Sequence, residues 1–250
     1  MKRTPMVVAV TGGTSGIGLA VAELFMARGH PVAVCSRSPR ANALRSAMVH
    51  VPLDVRRRDA VAQFAKDVRQ RFGTLDVLVN CAGVSRWRAI TDVDEVFAEE
   101  LIGTNLLGTL WGCAAAAAVM KRGGCIVNIS SLAGKRGSAN NSVYCATKFA
   151  VNGLTQALAK ELGPRGIRVN AVCPVYVETE HVLLSLADPA SPAAGRNVRT
   201  YLSSFASTQT ALGRLPTARE VAEVVYFLAS PAASAITGQC VNVDCGVLPQ

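Results

Sequence analysis

The chain has 250 residues, half of them hydrophobic and only 17% charged, a composition that supports one sizeable core and excludes a disordered polypeptide. Its net charge of +9 is scattered, with the densest run at Arg56-Arg57-Arg58, which points to a small anionic ligand and not to nucleic acid. Eight cysteines without a C-x-x-C pair, beside three histidines, indicate neither a zinc site nor a disulfide framework and predict reduced thiols in a cytoplasmic protein. The apolar run before Thr11 is too short for a secretory h-region.

In chain order, short β-rich runs alternate with amphipathic stretches. A strand over 7–10 precedes a glycine-rich turn and a helix to about Arg28, stopped by Gly29. Strands follow over 31–35 and 49–53, with a stub of helix over 44–46 between them. Val61, Phe64, Ala65, Val68 and Phe72 lie at helical spacing and Gly73 closes that helix, before a strand over 75–79. Residues 101–120 carry no charge over membrane-spanning length, but Asn105, three glycines and two threonines make a span a poor reading. A helix buried on all sides, in part by a partner subunit, is expected instead.

Further on come a strand over 126–129, a helix carrying Tyr144 and Lys148, and a strand over 168–172. Regular patterning then lapses from Val175 to about residue 216, as in a substrate-binding lid. Thr217 and Glu220 predict a capping box opening a helix with Val221, Val224, Val225 and Leu228 on one face, and the last strand covers 241–243. The alternation predicts one α/β domain over 1–250, a doubly wound parallel sheet of about seven strands with helices on both faces.

The turn after the first strand, T-G-G-T-S-G-I-G, places Gly12, Gly16 and Gly18 where backbone amides at a helix N-terminus can meet a pyrophosphate. Thr14, Ser15 and Ile17 complete this cofactor-binding turn. After the second strand, Ser36-Arg37 offers no acidic residue for a ribose hydroxyl. Arg37, with Arg40 nearby, instead suits a 2′-phosphate and favours NADP(H) over NAD(H).

Tyr144 and Lys148 lie one helical turn apart. A free tyrosine titrates near about 10, and a lysine cation held close favours the phenolate, so the pair predicts an acid–base catalyst drawn toward neutral pH. Ser131, at the end of a strand, is placed to hydrogen-bond the same substrate oxygen.

Together the glycine turn, Asn80-Cys81-Ala82-Gly83, Asn105, Ser131, Tyr144 and Lys148 resemble, in order and spacing, the short-chain dehydrogenase/reductase family over about residues 6–246. The resemblance implies that Asp54 and Val55 contact the adenine and that Asn80, Ala82 and Gly83 line the ribose side. Lys148 would hold the nicotinamide ribose and Asn105 would position a relaying water. Pro174, Val177 and Thr179 would lie at the nicotinamide, with Val177 and Thr179 against the carboxamide. It implies a homodimer or homotetramer joined through the uncharged helix and the Tyr144 helix.

Three departures stand out. Val175 replaces the glycine usual after Pro174, so the loop is expected to take another path; Cys245 also replaces a glycine, and Cys81 an asparagine. Leu183, Leu184, Leu186, Tyr201, Leu202 and Phe205 suggest an apolar pocket larger than a small sugar needs, and Arg196 and Arg199 are candidates to meet an anionic carrier such as acyl carrier protein or CoA. The expected activity is NADPH-dependent reduction of a ketone or 3-oxoacyl (β-ketoacyl) thioester, resembling the polyketide ketoreductases in particular. The alternatives are an NAD(P)-dependent alcohol, hydroxysteroid or 3-hydroxyacid dehydrogenase, or a cofactor-binding regulator without turnover. No metal site is indicated, and the histidines fall outside these motifs.

Overall fold

Seven apolar runs become parallel strands in the computed structural model, which describes residues 5–37, 48–121 and 123–249. They are β1 (Val8–Thr11), β2 (Val32–Ser36), β3 (Val49–Pro52), β4 (Val77–Asn80), β5 (Gly124–Ile129), β6 (Ile167–Pro174) and β7 (Cys240–Val243). Their order, β3-β2-β1-β4-β5-β6-β7, is the doubly wound one, and each lies within about two residues of its predicted span. The predicted stub over 44–46 and Arg40 lie outside the described residues.

Strand side chains alternate between two cores because successive Cβ atoms point to opposite faces. Val8, Val10, Val32 and Val34 meet Val21, Leu24 and Phe25 of α1 (Gly16–Ala27) and Val221 and Val225 of α8 (Ala218–Ala229). Ala9, Ala33, Leu78 and Ile126 meet Val61 and Phe64 of α2 (Arg58–Phe72) and Cys113 and Ala116 of α4 (Gly108–Val119). Both faces are covered, which is why the strands read as nearly unbroken apolar runs. The stops are also where expected: Gly73 takes a left-handed φ of 82° after α2, and Thr217 with Glu220 forms the capping box of α8.

Two stretches depart from expectation. The uncharged segment is part of one long helical run, Glu95–Val119, in which α3 (Glu95–Leu101) and α4 are joined by a π-helical turn, Ile102–Leu107. It is long and apolar enough to cross a membrane by length and composition. One face packs in the first core, but Ile102, Leu107, Ala114 and Ala118 are exposed, so the helix is not buried on all sides by its own chain.

The unpatterned lid is the second departure. It contains α6 (Glu180–Leu186) and α7 (Val198–Gln209), capped by the side chains of Thr179 and Asn197. Seven residues are too few to display a helical period, and these helices are held by a small core of Leu186, Leu202 and Trp87 that joins distant parts of the chain.

Cys245 has a φ of +54°, in the left-handed region that side chains disfavour. Relief of that strain, partly offset by glycine's greater freedom in the unfolded chain, should make Cys245→Gly more stable by about 0.5–1 kcal/mol. Chemical denaturation at fixed protein concentration would show the gain as a higher midpoint with unchanged slope.

Candidate active site

The carboxyl ends of β1 and β4 flank the point where strand order reverses, the crevice in which doubly wound sheets bind ligands. The glycine turn leaves β1 here. Gly12 has φ +66°, and a Cβ on it would sit 2.8 Å from Ala82 Cα; one on Gly18 would sit 2.2 Å from the Gly12 carbonyl oxygen. Only glycine permits this tight turn, which keeps the first amides of α1 bare of side chains, as a pyrophosphate requires. Gly16, at φ +52°, packs against Thr179; Thr14 is buried and Ile17 packs against the second core. The residues fit a dinucleotide.

The side chains of Asn80 and Asn105 both turn into the interior. The Asn80 side chain turns into the interior, donating to Asn128 Oδ1 at 2.9 Å, and Asn128 in turn donates to Thr155 Oγ1 at 3.0 Å. Any contact of Asn80 with a ribose falls to its backbone. Asn105, wholly buried in the π-helical turn, clamps the strand end after Gly83: its Oδ1 accepts from the Val84 N–H at 2.8 Å and its Nδ2 donates to the Val84 carbonyl at 2.9 Å. Its side chain is therefore a clamp, and a water relay through this residue would have to use its backbone carbonyl.

Tyr144 and Lys148 lie on α5 (Ser142–Leu162), with Lys148 Nζ 5.7 Å from the Tyr144 ring centroid. The Ser131 hydroxyl stands on the same cavity wall as the phenol and accepts the Ala133 N–H at 3.1 Å, and Lys148 donates to the Ile129 carbonyl at 2.9 Å. Electrostatics here run against the expected direction. Burial pushes the Tyr144 phenol up to about 12, opposed by the Ser131 hydrogen bond, while burial pulls Lys148 down to about 8. Desolvation disfavours both charged forms, and it is the largest cause of each shift. The phenol is thus a firmly protonated acid at neutral pH.

A sequence profile described as enoyl-(acyl carrier protein) reductase matches residues 12–248. A protein of Streptomyces virginiae named as a monensin polyketide synthase ketoacyl reductase is 38% identical, over 99% of this chain and 98% of its own. The chain belongs to the short-chain dehydrogenase/reductase family. A Staphylococcus aureus diacetyl reductase, (S)-acetoin forming, is 37% identical over 95% of this chain and 96% of its own. The solved structure of ElxO with NADP bound superposes with a TM-score of 0.87 and 32% identity, covering 99% of this chain and all of that one.

As a short-chain dehydrogenase/reductase, this protein is an oxidoreductase that works with a nicotinamide dinucleotide. Ser131 and Tyr144 open onto a cavity of about 120 Å³ with Trp87, Val175, Tyr176, Leu186 and Phe205 among its walls. Leu186 and Phe205 were legible as lid residues, whereas Leu202 packs beneath the lid and Leu184 faces solvent.

Arg196 and Arg199 have local partners, the carbonyls of Pro192 and Ala193 and the Glu178 carboxylate. Among the described residues lining the cavity the cation is Arg136, and nothing in its spacing marks it in the sequence. Val175 avoids a positive φ and donates to the Val243 carbonyl at 3.3 Å, continuing the β6–β7 pairing. The Val177 side chain is buried in the second core, so a carboxamide contact would fall to its backbone.

Arg37 is exposed at the end of β2, and its charge helps to hold the Asp54 carboxyl below the usual range, chiefly the work of the Arg56 guanidinium at 2.6 Å. Asp54 is thus already paired, with Val55 buried beside it. Two histidines also reach the cofactor side: His50 Nε2 lies 3.0 Å from Ser36 Oγ, and His181 Nε2 lies 3.1 Å from Ser15 Oγ, tying α6 to the glycine turn. The latter pair is separated by 166 positions, so no local motif could show it.

Proposed function

We propose that this protein reduces a compact ketone with NADPH, the first reading being a short 3-oxoacyl thioester. The observation that carries it is the convergence of the Ser131 and Tyr144 hydroxyls on one wall of the 120 Å³ cavity, with Lys148 behind them. When bound, the nicotinamide supplies the hydride. Tyr144 gives its proton to the oxygen as negative charge develops there, and the Ser131 hydroxyl orients that oxygen by a hydrogen bond. Lys148 holds the ribose and keeps a positive charge beside the phenol as its proton leaves.

The volume limits the acyl part. An apolar cavity of about 150 Å³ accepts benzene, so this one suits a group of roughly acetoacetyl size, with a carrier arm leaving past Arg136. The same compactness favours a second reading, a small vicinal diketone such as diacetyl. Following the oxidation of NADPH with acetoacetyl thioester and with diacetyl decides between them. Silence with both would sink the proposal.

Arg37 is proposed to select NADPH. Arg37→Glu should weaken NADPH binding by about 10- to 100-fold, the range for a lost charge-assisted hydrogen bond, and leave NADH binding much less affected. Equal weakening of both cofactors in a fluorescence titration would place Arg37 outside the 2′-phosphate site.

The protein is proposed to be a homodimer or homotetramer. Phe149 on α5 is 48% exposed beside exposed Ala146, and the exposed Ile102 and Leu107 add to the apolar surface of the long helical run. Phe149→Glu should shift a micromolar sample toward smaller species in sedimentation velocity; a wild-type monomer at that concentration would contradict the assignment.

A further inference from the structure

Between Ser131 and Tyr144 runs a loop, residues 135–141, that joins the 3-10 turn Leu132–Gly134 to α5. Three of its residues, Arg136, Ser138 and Asn141, line the cavity onto which Ser131 and Tyr144 open. Each brings a hydrogen-bond donor without a partner among the described residues: the Arg136 guanidinium, the Ser138 hydroxyl and the Asn141 amide nitrogen. Asn141 Oδ1 is sealed from solvent, so the nitrogen is the polar atom this residue can offer. A guanidinium has donors only and stays charged.

No carboxylate answers that charge, since neither aspartate nor glutamate is among the described residues lining the cavity. Other arginines on this side of the molecule do have acids, Arg86 with Glu100, Arg88 with Asp94 and Arg199 with Glu178. Arg136 is exposed at the cavity mouth, and its charge opposes the upward push that burial gives the Tyr176 phenol in the cavity wall. The loop that presents it is fixed by its backbone. The Arg136 N–H donates to the Leu132 carbonyl at 3.1 Å, and Asn140, at a left-handed φ of 58°, accepts the Arg88 N–H on its carbonyl at 2.7 Å and donates from Nδ2 to the Ala190 carbonyl at 3.0 Å.

We propose that this loop is an anion subsite: Arg136, with the Asn141 amide and the Ser138 hydroxyl, binds an oxyanion that the substrate carries beyond its reacting ketone. A guanidinium meets a carboxylate or phosphate through charge-assisted hydrogen bonds, which are stronger than neutral ones. Two sources share this chemistry, the carboxylate of a free 3-oxo acid and the phosphate of a pantetheine arm on a thioester. The inference rests on the ketone-reduction reading above.

The test uses the wild-type protein with saturating NADPH and two matched pairs, acetoacetate against acetoacetamide and acetoacetyl-4′-phosphopantetheine against acetoacetylpantetheine, with diacetyl as a ketone that carries no anion. The anionic member of one pair should show a KM lower by about ten-fold, the pair that responds identifying the source. Added salt should shrink that ratio, because an ion pair at an exposed guanidinium is screened. Arg136→Met should remove the preference and Arg136→Lys should keep part of it, with the change in KM and not kcat. Should the methionine variant not fold, the wild-type ratio, its salt dependence and the lysine variant still decide. Turnover without the preference, a preference that persists in Arg136→Met, or turnover of diacetyl alone overturns this inference alone; silence with all five ketones overturns the ketone-reduction reading and the inference with it.

Discussion

Lys148→Met should give a protein that melts higher than the wild type at neutral pH and turns over nothing. Lys148 is 6% exposed, and its ammonium has a backbone carbonyl as its hydrogen-bond partner. A shift from 10.5 to about 8 corresponds to about 3 kcal/mol of unfavourable burial at pH 7. Loss of the hydrogen bond to Ile129 gives back about 1 kcal/mol, so a net gain of about 2 kcal/mol is expected.

The pH dependence has a definite sign. The folded value lies below the unfolded one, so the unfolded chain binds more protons between them and wild-type stability rises over that window. The advantage of the methionine variant is therefore largest below about 8 and disappears toward 10.5. Thermal melts at pH 7 and pH 10 measure it, and an equal or lower melting point at pH 7 would show that the cation is better compensated than its surroundings indicate. Lost turnover with gained stability is the exchange expected when an ionisable group is buried for function.

The second large effect is expected for Tyr144→Phe, which removes the proton donor and leaves the ring. General acid catalysis contributes about 10²–10⁴-fold, so kcat should fall by roughly 10³, with cofactor affinity moving far less. The phenol, held up to about 12, stays protonated throughout the neutral range, so kcat/KM should fall on the alkaline side near 8 as Lys148 loses its proton in the free enzyme. A limb unchanged in Lys148→Arg, or residual activity within ten-fold of wild type in Tyr144→Phe, would remove these residues from their proposed roles.

Both predictions depend on features of different legibility. The Tyr144–Lys148 spacing, the glycine turn and the alternation of strands with helices are local signals, readable because a helix repeats every 3.6 residues, a strand every two, and a left-handed turn calls for glycine. Helices α2 and α8 show this plainly, since their buried faces follow the spacing of Val61, Phe64 and Val68 and of Val221, Val225 and Leu228. The lid helices do not: α6 is too brief to carry a period, and both are held by contacts with Trp87 some hundred positions away.

The chemistry of the site belongs to the tertiary structure. Asn80 and Asn105 occupy motif positions, yet their side chains turn inward to crosslink strands and helices. His181 meets Ser15, and Asn141 is left with an unpaired oxygen, only because separate loops converge on the carboxyl edge of the sheet. Spacing alone told that a lysine lies one turn from a tyrosine; whether its charge or their shared burial governs the tyrosine is decided by how much water the surrounding elements exclude, a sum over the whole fold that no local pattern encodes.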